Sequence, residues 1–225
     1  MLGRGASDAG EVSEVASLLM AEVDETSALI ERMLELGKSL DPAGLREEVV
    51  ELEPFLAETL GKAALLAPRR WALGPVPALC VVVDPLKLRS ALLNLLRNAA
   101  DATTEGGSVV LSAALTPGSG PMSGGGASAA SGVSAVRIEV SDDGRGMDDS
   151  LLDTAFVRFT SASGSKRSSG IGLAIVKAVA ESHGGTVDIE SSPGRGCSVS
   201  ILLPGSRVCS PESALPATLR GREAV

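Results

Sequence analysis

Tyrosine is absent from this 225-residue sequence, and its other aromatics are Trp71, Phe55, Phe156 and Phe159. An aromatic core is therefore excluded. With 44% hydrophobic residues, branched aliphatics and alanine must fill the interior. Basic charge is also in short supply. A net charge of −8 and a pI near 4.8 remove the positive face on which nucleic-acid binding draws. Cysteine is scarce: Cys80, Cys197 and Cys209 show neither metal-ligand spacing nor an even-numbered framework, which favours a reducing, cytoplasmic setting over secretion. The opening "MLGRGASDAG" lacks the apolar core of a signal peptide. The most apolar region, "ALLAPRRWALGPVPALCVVV", is interrupted by Arg69, Arg70 and several prolines, so no membrane segment is expected. Histidine occurs once, as His183.

What is present falls into segments. Val12, Val15, Leu19, Val23, Thr26, Ile30, Met33 and Gly37 recur at spacings of three and four among acidic residues, which predicts a long amphipathic helix over 11–37 with Gly37 as its stop. This helix either packs on the domain that follows or pairs with another subunit. From Asp41-Pro42 the texture changes. "REEVVEL" suits a short strand, Glu53-Pro54 opens a helix to about Leu66, and "RWALG" and "LCVVV" suit strands. Asp84-Pro85, a cap followed by proline, starts a helix reaching about Thr103. "SVVLSAAL" and "AVRIEVSD" are β-rich runs joined by a Gly/Ser/Ala stretch, 116–134, read as a flexible loop. A helix in "GIGLAIVKAVAESHGG" and two strands, "TVDIESS" and "CSVSILLP", follow, then a tail over 205–225 read as loose. Helices interleaved with these strands predict an α/β sandwich, one mixed sheet covered by helices on one face.

Four short patterns carry chemistry. Asn94, Asn98 and Asp101 in "LLNLLRNAADAT" share one helix face, although Asn and Asp are mediocre helix formers. Such a stripe suits solvent; it equally suits a Mg²⁺ ion held mainly by phosphates and water, completed by amide oxygens, with Asp101 ordering water around the base or the metal. Asp142-x-Gly144-x-Gly146 is a turn in its plainest reading. In its functional reading a carboxylate at a strand end accepts from an exocyclic amine while glycines let backbone approach a planar ring. Gly170-x-Gly172 is a tight loop-to-helix junction or an anion site at a helix N-terminus, with Lys166 and Arg167 just upstream. His183, at a helix end before Gly184-Gly185, suits a structural cation facing the helix dipole.

Taken in order, the segments resemble the ATP-binding domain of sensor histidine kinases, in the superfamily shared with gyrase, Hsp90 and MutL. "NLLRNAADAT" is similar to the N box, "VSDDGRGM" to the first glycine box and "FVRF" to the F box. "GIGLAIVKAVAESHGGTVDIES" is similar to the second glycine box, and "SPGRGCSVSILLP", with Gly194-x-Gly196, to the last strand pair. The resemblance covers roughly 46–204. It implies a two-layer Bergerat-type α/β sandwich over 41–204, preceded over 1–40 by part of a dimerisation helix.

The resemblance also implies roles. Asn98 coordinates Mg²⁺, and Asn94 assists it or positions phosphate. Asp142 accepts from the adenine amine, with Gly144, Gly146 and Met147 shaping that wall. Gly170, Ile171, Gly172 and Leu173 line the phosphates with Lys166 and Arg167. The loop 160–169 is the ATP lid, anchored by Phe156 and Phe159. Ser168 stands where the family often has a further glycine, so modest lid stiffening is expected. The hydrolytic branches place Glu where Asn94 stands, and Asn cannot take a proton from water, so transfer to a protein nucleophile is implied. No phosphoacceptor histidine box is present; the acceptor would lie in trans or in a longer chain, and a response regulator would follow. A homodimer through 11–37 is the implied assembly. The alternatives are a regulatory nucleotide-binding module without kinase activity and an anti-sigma-type protein-serine kinase.

Overall fold

The computed structural model describes residues 44–117, 133–152, 154–156 and 171–209, together with positions 19, 20, 23, 26, 27, 30 and 37. In chain order the elements are β1 (Glu48–Glu51), α1 (Leu52–Ala63), β2 (Arg70–Leu73), β3 (Cys80–Val83), α2 (Pro85–Ala102), β4 (Ser108–Pro117), β5 (Val133–Asp142), α3 (Asp149–Leu152), α4 (Gly172–Ser182), β6 (Thr186–Ser191) and β7 (Cys197–Pro204). A 3₁₀ turn, Gly205–Arg207, then leads into β8 (Val208–Cys209).

The main sheet has the order β2-β4-β5-β7-β6; β2 and β4 run parallel, and the other neighbours are antiparallel. Alternation divides its faces. Val109, Leu111 and Ala113 of β4, Val136, Ile138 and Val140 of β5, and Val199, Ile201 and Leu203 of β7 are buried in one cluster with α1, α2 and α4. From α1 that cluster takes Leu52, Phe55, Leu56 and Leu60, from α2 Leu88, Leu92, Leu95 and Leu96, and from α4 Ile175, Val176 and Val179. Each fully buried aliphatic side chain contributes about 1.5–3 kcal/mol, so the helix stripes hold the layers together. The opposite face is polar: Arg137 donates to Ser200 Oγ (2.9 Å), Ser200 donates to Glu139 (3.1 Å), and Arg137 pairs with Asp188 (3.5 Å). The two-layer mixed α/β sandwich expected from the sequence is therefore present.

Several expectations are corrected. The strands around "REEVVEL" and "LCVVV" do not join the main sheet; β1, β3 and β8 form a separate antiparallel sheet of order β1-β3-β8. Alternating apolarity fixes the face a strand buries and leaves its partner undetermined. Residues 205–209 are not loose, because the 3₁₀ turn and β8 return the chain to β3 and bury Val208. Helix α1 begins at Leu52, before Pro54, and ends at Ala63 rather than Leu66, while Leu65 and Leu66 are exposed. The strands also take in Thr116, Pro117, Val133 and Ser134 from the two ends of the Gly/Ser/Ala stretch. Leu19, Val23, Thr26 and Ile30 are helical, as the spacing predicts; Gly37, expected as the stop, is itself helical. Leu19, Met20, Val23 and Ile30 are exposed, and among the described residues no helix is long and apolar enough to cross a membrane.

Candidate nucleotide-binding site

Helix α2 is fixed at its start by Asp84, whose Oδ1 accepts from the backbone N–H groups of Leu86 (3.1 Å) and Lys87 (3.0 Å) ahead of Pro85. Two turns on, the polar stripe faces the beginning of α4. Asn94 is buried and donates its amide N–H to Ser90 O at 3.0 Å, which leaves Oδ1 as its acceptor. That Oδ1 lies 3.4 Å from where a Cβ on Gly172 would stand, and the Asn98 amide nitrogen and oxygen lie 3.4 and 3.5 Å from the same point. Gly172 is the first residue of α4. Ile171 at the N-cap offers no side-chain cap, so among the described residues the first N–H groups of α4 keep their capacity for an acceptor from outside. The structure thus brings Asn94, Asn98 and Gly172 together, while Asn98 stays exposed. Ile171 is fully buried and Leu173 packs against the core, so both anchor the helix start.

The second wall is the turn after β5. Asp142 ends that strand opposite Cys197 on β7 and Val109 on β4. Its Oδ1 accepts from the Gly144 N–H at 2.9 Å. Burial raises its pKa above the ordinary carboxylate value, against the lowering effect of the Gly144 and Cys197 N–H donors, and the neighbouring Asp143 adds to the rise. Two glycines here are required by contact. A Cβ on Gly144 would stand 2.5 Å from Ala102 O at the end of α2. Gly146 has φ +65°, and a Cβ there would collide with the Ser192 carbonyl. The Arg145 N–H donates to Ala102 O (3.2 Å), and the Met147 N–H donates to Ser191 Oγ (2.9 Å), which in turn donates to Gly196 O (2.7 Å). The turn carrying Asp142 is therefore clamped between the end of α2 and the β6–β7 turn.

Asp101 is exposed one turn beyond Asn98. Phe156 is half-buried in the turn after α3. Phe159, Lys166, Arg167 and Gly170, with the lid 160–169, lie outside the described residues.

Several contributors carry no sequence signal of their own. Ser191 and Ser192 reach the site only through the β6–β7 pairing. Gly196 was legible as part of Gly194-x-Gly196, and its role emerges in three dimensions: φ is +82° and a Cβ would collide with the Asp142 carbonyl. Arg69, in the loop before β2, donates through Nε to Thr103 Oγ1 (2.9 Å) and through Nη2 to the Ala100 and Thr103 carbonyls (3.1 Å each). It satisfies the last carbonyls of α2, whose own last turn has no basic residue.

At the opposite end of the same helices, His183 overturns its expected charge. It is fully buried at the C-cap of α4. Its Nε2 accepts from the Asp84 N–H at 2.9 Å, so Nδ1 carries the proton and donates to Val179 O at 2.8 Å. Burial lowers its pKa, and the Arg207 charge adds to that against the bond to Val179 O. The imidazole is neutral, not a cation on the helix dipole. Asp84 is also buried; burial pushes its pKa up, but the N–H donors of Arg46, Lys87 and Leu86 outweigh it and leave the net value lowered. Arg207 completes the cluster, donating to the carbonyl of His183, to Val82 O (2.8 Å) and to Glu47 (2.9 Å).

Among the described residues, no group of three or more His, Cys, Asp or Glu side chains could hold a metal ion. The donor set by Gly172 is two amide side chains. It fits a hard divalent cation that arrives with phosphate ligands and keeps its waters.

Comparison with known proteins adds the following. The model of the family described as histidine kinase-, DNA gyrase B- and HSP90-like ATPase matches residues 83–207. The sensor histidine kinase ZraS of Klebsiella oxytoca is 32% identical over 201 residues, covering 87% of this chain and 39% of that protein. The chain thus spans well under half the length of that relative. The ATP binding domain of PrrB from Mycobacterium tuberculosis superposes with a TM-score of 0.53 at 28% identity, over 71% of this chain and 98% of that one. Full-length ShkA, solved in complex with AMPPNP, shares the fold with a TM-score of 0.66 at 23% identity, over 89% of this chain and 39% of that one.

Proposed function

The chain belongs to the family of histidine kinase-, DNA gyrase B- and HSP90-like ATPases, and from that premise we propose that it is the ATP-binding catalytic module of a two-component sensor histidine kinase, passing the γ-phosphate to a histidine outside this chain. The observation that carries the reading is the uncapped N-terminus of α4 at Gly172, set against Asn94 and Asn98. Exposed N–H groups and the helix dipole there favour phosphate. The Asn98 amide oxygen is the intended ligand of Mg²⁺, with Asn94 assisting; the ion, when bound, offsets phosphate charge. Asp142, held as an acceptor by its backbone donors, takes the adenine amine, while Gly144, Gly146 and Met147 let the base approach. Gly170, Lys166 and Arg167, with the lid 160–169 anchored by Phe156 and Phe159, would close over the phosphates. A site for ATP supports a cytoplasmic setting for the domain.

The acceptor follows from inventory. His183 is the sole histidine of the sequence, is fully buried, and has both ring nitrogens engaged. At 1.5 Å per residue it lies about 16 Å from Gly172 along α4, too far for in-line attack. Asn94 offers no general base for water. These observations support transfer to a histidine in trans or in a longer chain, and onward to a response regulator. The exposed apolar positions Leu19, Val23 and Ile30 support pairing of two copies through 11–37.

Radiolabelled ATP with Mg²⁺ tests this. The purified chain should bind ATP and take up no acid-labile phosphate, whereas a separately supplied helical hairpin bearing an exposed histidine should become labelled. Acid-labile label on His183 would overturn the reading, as would failure to label any such hairpin from a relative's kinase.

A further inference from the structure

Cys80 and Cys209 stand directly opposite one another in the antiparallel pairing of β3 with β8. Directly opposed residues in such a pair have Cα atoms about 4.5–5.5 Å apart, inside the roughly 4.4–6.8 Å that a disulfide spans. The two thiols are close enough that the charge of Cys209 adds to the rise of the Cys80 pKa. Both are free thiols. Cys80 is fully buried and Cys209 half-buried, so a reagent from solvent reaches one before the other. The third thiol has no such partner. Cys197 faces Asp142 on β5 and Ser191 on β6, and burial followed by the Asp142 charge pushes its pKa up to about 11.

We propose that Cys80 and Cys209 form a modification site, a dithiol that a low-molecular-weight disulfide such as oxidised glutathione converts to a cross-strand Cys80–Cys209 bond. The Cys209 thiolate attacks one sulfur of the reagent, whose S–S bond breaks and releases one glutathione thiolate. Cys80 gives its proton to solvent and attacks the Cys209 sulfur of the mixed disulfide, releasing the second glutathione. Two protein thiols are oxidised and one glutathione disulfide is reduced to two thiols. Burial holds both cysteines above the ordinary thiol pKa, with the charge of Cys209 and then that of Glu51, opposite Cys80 on β1, adding to the rise at Cys80, so the reduced pair is held as protonated thiols. The bond would fasten β8, and with it Arg207, to β3. It would also close a loop that contains Asn94, Asp142 and Gly172. The inference does not depend on the phosphotransfer reading.

The test is equilibration of the purified chain in glutathione buffers stepped from reducing to oxidising, followed by peptide mapping without reductant. The expected product is a Cys80–Cys209 cross-linked peptide, two hydrogens lighter, with Cys197 still free. The melting temperature should rise by about 5–15 °C and return on addition of dithiothreitol. In Cys80→Ser, Cys209 should stop at the glutathione adduct; in Cys209→Ser, at a half-exposed position, Cys80 should remain unmodified. Three free thiols persisting under conditions that oxidise an unhindered dithiol peptide would overturn the proposal, as would a cross-link that involves Cys197.

Discussion

Helices α2 and α4 run antiparallel, and their two shared ends treat polar groups in opposite ways. At the Asp84–His183 end both carboxylate oxygens, both imidazole nitrogens and the Arg207 guanidinium are engaged by protein. At the Asn98–Gly172 end the amide is exposed and the helix start is uncapped. One end uses its polar groups to hold the fold; the other keeps them for a ligand. Their charge behaviour differs in sign as well. His183 has a depressed pKa, so its contribution to stability is complete above the ordinary value of 6.5 and is lost as pH falls through that value toward the folded one. Asp142 has a raised pKa, so its contribution is complete below 3.8 and is lost as pH rises through the folded value. Ionising Asp142 works against stability.

The contrast can be broken most forcefully at the closed end. His183→Ala leaves the buried Asp84 N–H without its acceptor and opens a cavity, so unfolding free energy should fall by about 3–5 kcal/mol. ATP affinity of the folded protein should stay within about twofold. Calorimetric melting beside titration with a non-hydrolysable analogue reads both; equal damage to binding and stability would erase the distinction.

The converse change is Asn98→Ala. Losing a bond to a charged group should weaken Mg²⁺-dependent ATP binding by about 1.5–3 kcal/mol, roughly ten- to a hundredfold. Stability should move by less than about 0.5 kcal/mol, as for other exposed positions. Unchanged affinity would remove Asn98 from the metal.

Asp142→Asn sharpens the comparison within the open end. The wild type should prefer ATP over GTP by about 1–3 kcal/mol, since guanine sets a carbonyl oxygen against the carboxylate. The substitution should narrow that preference without lowering stability at neutral pH, because a neutral amide carries no buried charge. Competition binding with the two nucleotides decides it, and wild-type GTP binding equal to ATP would refute the assignment.

The smallest effect is the pH slope. Below about pH 6.5 stability should fall by at most about 1.4 kcal/mol per pH unit as the unfolded chain takes up a proton that His183 refuses. Urea denaturation at stepped pH should show the slope in the wild type and its flattening in His183→Gln.

These ends were not equally legible in the sequence. The open end is built from short contiguous patterns, Asn94/Asn98, Asp142-x-Gly144-x-Gly146 and Gly172 before a helix, because ligand contacts recruit backbone and neighbours at fixed offsets. The start of α2 was legible for the same reason: capping is local. The closed end depends on residues 46, 84, 183 and 207, which no local rule joins. His183 looked like a dipole-facing cation because its position on the helix is visible in sequence and its burial is not. Arg69 likewise gives no sign of capping a helix thirty residues on. The β-branched runs in "REEVVEL" and "LCVVV" identified β1 and β3 as strands but left open that they, with β8, build a second sheet.

The ion pair between Glu47 and Arg207 spans 160 residues of chain, and this bears on the order of folding. During synthesis Asn98, Asp142 and Gly172 all leave the ribosome before Arg207 and β8 do. The carbonyls of Val82 and His183 must wait for that guanidinium, and β3 must wait for its outer neighbour. Contacts of such long range form late, because the entropy of closing the loop comes before any gain. A nascent chain that has emerged only as far as Pro204 therefore carries every described residue of the nucleotide pocket with the far end of its helices still unlatched.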